Sequence, residues 1–367
     1  MVDPARNAVL AVVGGIVLFA LFVAPVLIIQ FRRYGRLSSL RLLGAVALAV
    51  YGVALVAYTL FPLPVDTGKQ CIPPVQLIPF HFIADVARET AGESPLRVIT
   101  SSAMLQFVFN IALFVPGGVI VRRFFSRGVL VATLSGLAVS LLVESTQYTG
   151  IWGLYGCAFR LADVDDLIAN TTGALVGALI APLVLWWMPR ESELRPRRLD
   201  PRPVTVRRRW IGMIVDWGLV TLSGLVIGIV AVGVPRTLGA VVPPWLEATL
   251  TVALPGIAVF LLPALRGSGA TLGQSAVWLQ PHWGDRAPTL ARRLGRVSIP
   301  LGWVALLTAG SVVPDSGLLS PSLFAGLLAT AEVVAVGLTR GRGLGSLLVR
   351  AGFDDTRAAK QSPPTPL

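Results

Sequence analysis

The 367-residue chain is 54% hydrophobic and 14% charged, with 31 Lys and Arg against 19 Asp and Glu and a formal net charge of +12. A soluble domain carries about 25% charged residues; this composition, with a mean hydropathy of +0.74, excludes that class and indicates an integral membrane protein. The positive balance does not point to nucleic acid, because the charges flank apolar runs instead of forming a groove with interleaved aromatics.

Runs long enough to cross a bilayer, about 20 residues each, fall at 8–31, 40–62, 103–121, 128–149, 166–188, 210–234, 246–265, 298–314 and 322–339. The expected fold class is all-α: a polytopic membrane helix bundle of about nine spans in two modules. Pro116 and Pro300 interrupt the third and eighth runs, which leaves eight as the other count. The first run is too long, and has only Arg6 before it, for a cleavable signal peptide. After the fifth run, "PRESELRPRRLDPRPVTVRRR" at 189–209 lacks helical apolar periodicity and reads as a basic linker between modules at 1–188 and 210–353. An ordinary cytoplasmic loop is the plainer reading of that stretch, since no internal repeat relates the modules. Residues 354–367 are polar and proline-rich, and read as a disordered tail.

Cytoplasmic loops retain Lys and Arg. The loops after runs one, three, five, seven and nine hold 25 of the 31 basic residues, and the other side holds only Arg6, Lys69, Arg88, Arg97, Arg160 and Arg236. That bias places the N-terminus outside and the C-terminus in the cytoplasm. On this topology three spans carry polar side chains at similar depth below the outer face. At about 1.5 Å per residue, Asn110 lies roughly 10 Å in, Glu144 roughly 9 Å and Asn170 about 6 Å, with Gln147 above Glu144 on one helix face. Arg160, Asp163, Asp165 and Asp166 sit at the mouth. An ionisable group inside a span is a functional-site hypothesis by default. Interhelical hydrogen bonding and acidic complementation of a helix N-terminus are the structural alternatives. Gly173 with Gly177, and Gly136 with Ser140, form small-residue pairs suited to close helix packing.

At these residues the chain resembles the VanZ-like family, named for a teicoplanin-resistance membrane protein. The resemblance covers about 40–188 and rests on "YTLFP", "QLIPF", "NIALFVPGGVIVRRF", "ESTQ" and "FRLADVDDLIANTTGALVG". The matching positions are Asn110, Phe114, Pro116, Gly117, Glu144, Gln147, Arg160, Asp163, Asp165, Asp166, Asn170 and Gly173; Gln76 departs from the family's asparagine. The resemblance implies a bacterial envelope protein, linked in some members to lower glycopeptide susceptibility. Residues from about 205 to 350 resemble the RDD family through "RRRWIGMIVDWGL", "GSGATLGQSAVWLQ" and "RGRGLGSLLV". That match places Arg208 or Arg209 and Asp216 at motif positions, with Gln274 for a lysine and Ser346 for the second aspartate. It implies transport, including cation–proton exchange in some members.

Three functions follow. The first is a non-enzymatic envelope protein whose outer site, formed by Asn110, Glu144, Gln147, Arg160, Asp163, Asp165, Asp166 and Asn170, binds a lipid head group, a lipid-linked wall precursor or a glycopeptide antibiotic through charge-assisted hydrogen bonds. The second is a transporter with Asp216 or Glu144 as coupling carboxylate. The third is an enzyme with Glu144 or an aspartate as general base, or with carboxylates and amides holding Mg²⁺ or Ca²⁺. No cofactor is expected: no Walker loop or dinucleotide fingerprint is present. His81 and His282 fall on opposite sides, which argues against a two-histidine metal site. Cys71 and Cys157 both fall in outer loops, the compartment where a disulfide between them could persist. The bilayer is the certain partner, and the oligomeric state stays open.

Overall fold

The computed structural model describes residues 4–61, 75–155, 158, 160–313 and 320–358. It is helical with almost no sheet, and eight helices among the described residues are long and apolar enough to cross a membrane. Cys71 and Cys157 lie outside the described residues. The chain divides into two compact units: one of Met1–Phe19 with Ser39–Glu193, the other of Ala20–Ser38 with Leu194–Leu367. The division falls inside the basic stretch read as a linker. It also splits α1 (Pro4–Tyr34) between the units.

In the first unit α2 (Ser39–Leu60) is followed by β1 (Val75–Gln76), α3 (His81–Glu89), α4 (Pro95–Ile99), α5 (Ser102–Val119), α6 (Val129–Tyr148), β2 (Ala162–Asp163) and α7 (Val164–Val184). The core runs along α7, whose buried side is made of Ala169, Gly173, Ala174, Gly177, Ala178 and Ala181. Such small residues let backbones approach, which replaces the hydrophobic drive that lipid removes. A Cβ on Gly173 or Gly177 would overlap the backbone carbonyls of Ile111 or Val115 of α5, and one on Gly136 of α6 would strike Ala174. Pro116 lies within α5, and the helix continues past it into a π turn at Ile120–Phe124. There Arg41 donates to the carbonyls of Phe124 (2.6 Å) and Pro189 (3.1 Å), and Arg123 to those of Leu185 (3.0 Å) and Met188 (2.9 Å). These guanidiniums bond carbonyls at and just past the ends of α7 and of the π turn, where the helix dipole also favours positive charge.

The second unit contains α8 (Val206–Thr237), α9 (Pro244–Leu265), α10 (Leu272–Ala276), β3 (Leu279–His282), α11 (Leu290–Gly310), α12 (Pro321–Leu338), α13 (Leu344–Leu348) and β4 (Gly352–Asp355). Arg208 and Arg209, placed by sequence in the linker, belong to the first turn of α8, which Thr205 caps. Val220, Val259, Phe260 and Val304 form the core, with Trp217 stacked on Trp303. The eighth expected span corresponds to α11, which carries Arg292, Arg293 and Arg296 in its first two turns and is not among the eight apolar spans. Arg296 of α11 reaches the loop just past α9, and Arg209 of α8 reaches Gly341 just past α12. The starts of α8 and α11 thus meet the ends of α9 and α12, so α11 alternates in direction with its neighbours as a crossing helix does. Of the residues read as a polar tail, Asp354 and Asp355 instead end β4, antiparallel to β3 (Leu279↔Asp355), and Asp355 and Arg357 lie in the interior. Their charges bond one another, which sequence polarity does not reveal.

Gly177→Ala is expected to lower stability by about 1–3 kcal/mol through overpacking. Gly52→Ala, where an added Cβ meets nothing, should not. Thermal unfolding of the two variants in one detergent checks this.

Candidate functional site

The residues read as a site come from α5, α6, β2 and α7, and the structure brings them to one end of the first unit. β1 pairs in parallel with β2 (Val75↔Ala162, Gln76↔Asp163). Asp163 caps α7 by accepting from the N–H of Asp165 (2.8 Å), which fixes the direction of the next two aspartates. They diverge. Asp165, 3% exposed, accepts from the backbone N–H of Phe80 (2.6 Å) and of Phe82 (2.9 Å), so it holds the entry of α3. Phe80 there has φ of +62°, a left-handed conformation rare for a bulky residue and kept only where surroundings enforce it. Gln76 closes the same turn on itself, donating to the carbonyl of Ile78 and accepting from its N–H, both at 2.7 Å. At its far end α3 supplies Glu89, which accepts from the Ser102 hydroxyl (2.7 Å), while Phe82 stacks on Phe107 with centroids 4.0 Å apart.

Asp166 turns the other way and accepts from Asn110 (2.5 Å). Both line a cleft of about 520 Å³, together with Gln147, Arg160, Tyr58, Gln106, Phe109 and Leu161. Gln147 is fixed by donating to the Thr59 carbonyl (2.7 Å), and half-buried Arg160 donates to that of Phe61 (3.4 Å). Glu144 lies behind the cleft, buried, accepting from the Asp163 N–H (3.2 Å), with Asp166, Asp163 and Arg160 as the charges that face it. Burial pushes the Asp163 carboxyl above its usual range; the Asp165 N–H opposes this and the Asp165 charge adds to it. Asn170 does not reach the cleft: it donates to Ser140 (2.9 Å), while its oxygen is buried without a partner.

Of the eight residues expected there, Asn110, Gln147, Arg160 and Asp166 line the cleft, and Glu144 and Asp163 back it. Asp165 holds a neighbouring segment, and Asn170 serves helix packing. Tyr58, Gln106 and Phe109 escaped the sequence reading because an aromatic or amide within an apolar run gives no signal until its helix face is known. The cleft offers a guanidinium beside a carboxylate and two amides, a set that can hold a zwitterionic or amine-bearing group by charge-assisted hydrogen bonds. Among the described residues no group of three His, Cys, Asp or Glu is arranged to hold a metal ion.

In the second unit Arg208 donates to the carbonyls of Val277 (2.7 Å) and Trp278 (2.8 Å) and to Asp355 (2.8 Å), and Arg357 clasps the same carboxylate (2.9 and 2.6 Å). Arg209 and Asp216 instead line a small cavity, described below. Burial alone would raise the Asp355 carboxyl, but the Arg357 and Arg208 guanidiniums and the N–H groups of Arg357 and Arg202 bring it down to about 2.

Fold and cleft define a polytopic helical membrane protein with a polar site at one end of its first unit. Residues 48–185 match the family model described as VanZ/LLP1. No curated protein and no solved structure matches the chain. The matched stretch contains every cleft residue and no residue of the second unit.

Two outcomes follow from this geometry. Asp165→Asn removes one of two acceptors from part-buried N–H groups and should cost about 1 kcal/mol, with faster amide exchange at Phe80 and Phe82; Asp166→Asn should leave those amides protected. The ion pairing of Asp355 contributes stability that is complete above about pH 4, the ordinary carboxylate value, and is lost as pH falls toward 2. Acid titration of unfolding should therefore be steeper in the native chain than in Asp355→Asn over that window.

Proposed function

We propose that the first unit binds the polar head group of an envelope lipid, a lipid-linked wall precursor or a glycopeptide antibiotic at the outer face of a bacterial membrane, and thereby lowers glycopeptide susceptibility without catalysing a reaction. The observation that carries this reading is the cleft: Arg160 and Asp166 line the same space, each braced by a bond to Phe61 or Asn110, at one end of a bundle of apolar helices. Unpaired charge at that position is costly, so a ligand of opposite and matched charges is what the lining fits. The VanZ/LLP1 match over 48–185 supports an envelope role. The cleft end carries Arg88, Arg97 and Arg160, whereas the other end carries Arg41, Arg122, Arg123, Arg127 and Arg190. That contrast supports an outward cleft, an outer N-terminus and a cytoplasmic C-terminus by the positive-inside rule.

A second reading has its own observation. Arg209, Asp216, Gln274 and Ser346, four positions of the RDD-like pattern, line one cavity of the second unit. Their convergence supports an RDD-like module there, with ion- or solute-coupled transport as the alternative function.

Expression in a glycopeptide-sensitive host should lower susceptibility, and Glu144→Gln and Asp166→Asn should restore it to the empty-vector level at unchanged protein abundance in the membrane. Variants that behave like the native chain would overturn the proposal. A proton or cation flux in vesicles, lost in Asp216→Asn, would favour the second reading.

A further inference from the structure

The second unit gathers four ionisable side chains around a cavity of about 50 Å³: buried Arg209, Asp216 and Arg296, and half-buried Glu332. On that measure about 10–15 Å³ holds one water, so the space admits a few waters or one small ion. Arg209 is 3% and Arg296 4% exposed. A buried charge costs several kcal/mol unless it is paired and hydrogen-bonded, so where each donor and acceptor goes decides what the cavity can take.

The two carboxylates are supplied by neutral groups of their own surroundings. Asp216 accepts from the Gly273 N–H (2.6 Å) and the Thr271 hydroxyl (2.7 Å), and Glu332 from the Leu344 N–H (2.7 Å). The guanidiniums are not fully supplied. Arg209 spends Nε on the Gly341 carbonyl (2.8 Å) and stacks on Phe353, leaving Nη1 buried without a partner. Arg296 spends Nη1 on Gln274 Oε1 (2.9 Å) and Nη2 on the Gly269 carbonyl, leaving Nε buried without a partner. Gln274 Oε1 also accepts from the Thr271 N–H (3.2 Å), so the free part of that amide is its NH₂ donor. The unmet demand around the cavity is for an acceptor.

A cation would face two guanidiniums, with both oxygens of Asp216 and one of Glu332 already accepting hydrogen bonds. A small anion would complete the arginines. We propose that this cavity is a binding site for one small monovalent inorganic anion of halide size, held by Arg209 Nη1 and Arg296 Nε. The inference concerns the second unit alone and is independent of the cleft reading.

The full chain, purified in detergent, is melted in sodium chloride, sodium bromide, choline chloride and sodium gluconate at matched ionic strength. Chloride and bromide should raise Tm saturably by a few degrees, on the order expected for a site filled well above its Kd, whatever the cation. Gluconate should not. Arg296→Gln should lose the halide response, and Arg293→Gln, whose guanidinium caps the carbonyls of Ala264 and Gly267, should keep it. Should Arg296→Gln fail to fold, bromide anomalous scattering from the native chain decides: a peak within hydrogen-bond reach of both arginines supports the site. A cation-dependent shift, an equal response to gluconate, or no bromide peak there overturns it.

Discussion

The carboxylate of Asp165 ties the start of α7 to the backbone N–H groups of Phe80 and Phe82, and the polar end of the first unit is organised around those two bonds. They hold α3 beside the mouth of α5, fix Phe80 in a left-handed conformation, and keep β1 in register with β2. Because Asp163 caps the helix and Asp165 faces α3, the next residue, Asp166, is directed into the cleft toward Asn110. Helical geometry turns each residue by about 100°, so three acidic positions in four residues cannot share one task. Helix cap, segment clamp and cleft lining are separate consequences of one turn of helix.

Much of this was legible in the sequence. Apolar run length located the helices, and a depth count from the span ends placed Asn110, Glu144 and Asn170 at one level, where the structure has the first two beside Asp166 and Asp163. The small-residue pairs Gly173 with Gly177 and Gly136 with Ser140 do lie where helices touch. The division of labour among the aspartates was not legible, because it depends on the partner of each carboxylate: an N–H two residues on for Asp163, the Asn110 side chain 56 residues away for Asp166, and backbone N–H groups more than 80 residues away for Asp165. Backbone donors leave no mark in a sequence.

The second unit was harder to read for a different reason. Arg296 was counted as one more positive charge of a cytoplasmic loop, although it lies in α11 and is buried. Glu332 was passed over inside the run at 322–339, although a lone acid within an apolar span is a signal in its own right. Charge counting treats every arginine alike. Whether a particular one is solvated or buried is set by the carbonyls within reach, here Gly269 and Gly341, both in turns that follow a helix end.

Both units meet the same constraint, that a charge placed among apolar helices must find its partners within the protein. They meet it to different degrees. In the first, Arg160 and Asp166 each have one brace and open onto about 520 Å³, so their remaining hydrogen-bonding capacity faces a space sized for part of a larger molecule. In the second, the carboxylates are bonded to their own loop and helix ends, and the residual donors of two arginines face about 50 Å³. Size and polarity together then separate the two sites by ligand class: a head group bearing both charges for the cleft, and a single small acceptor for the cavity.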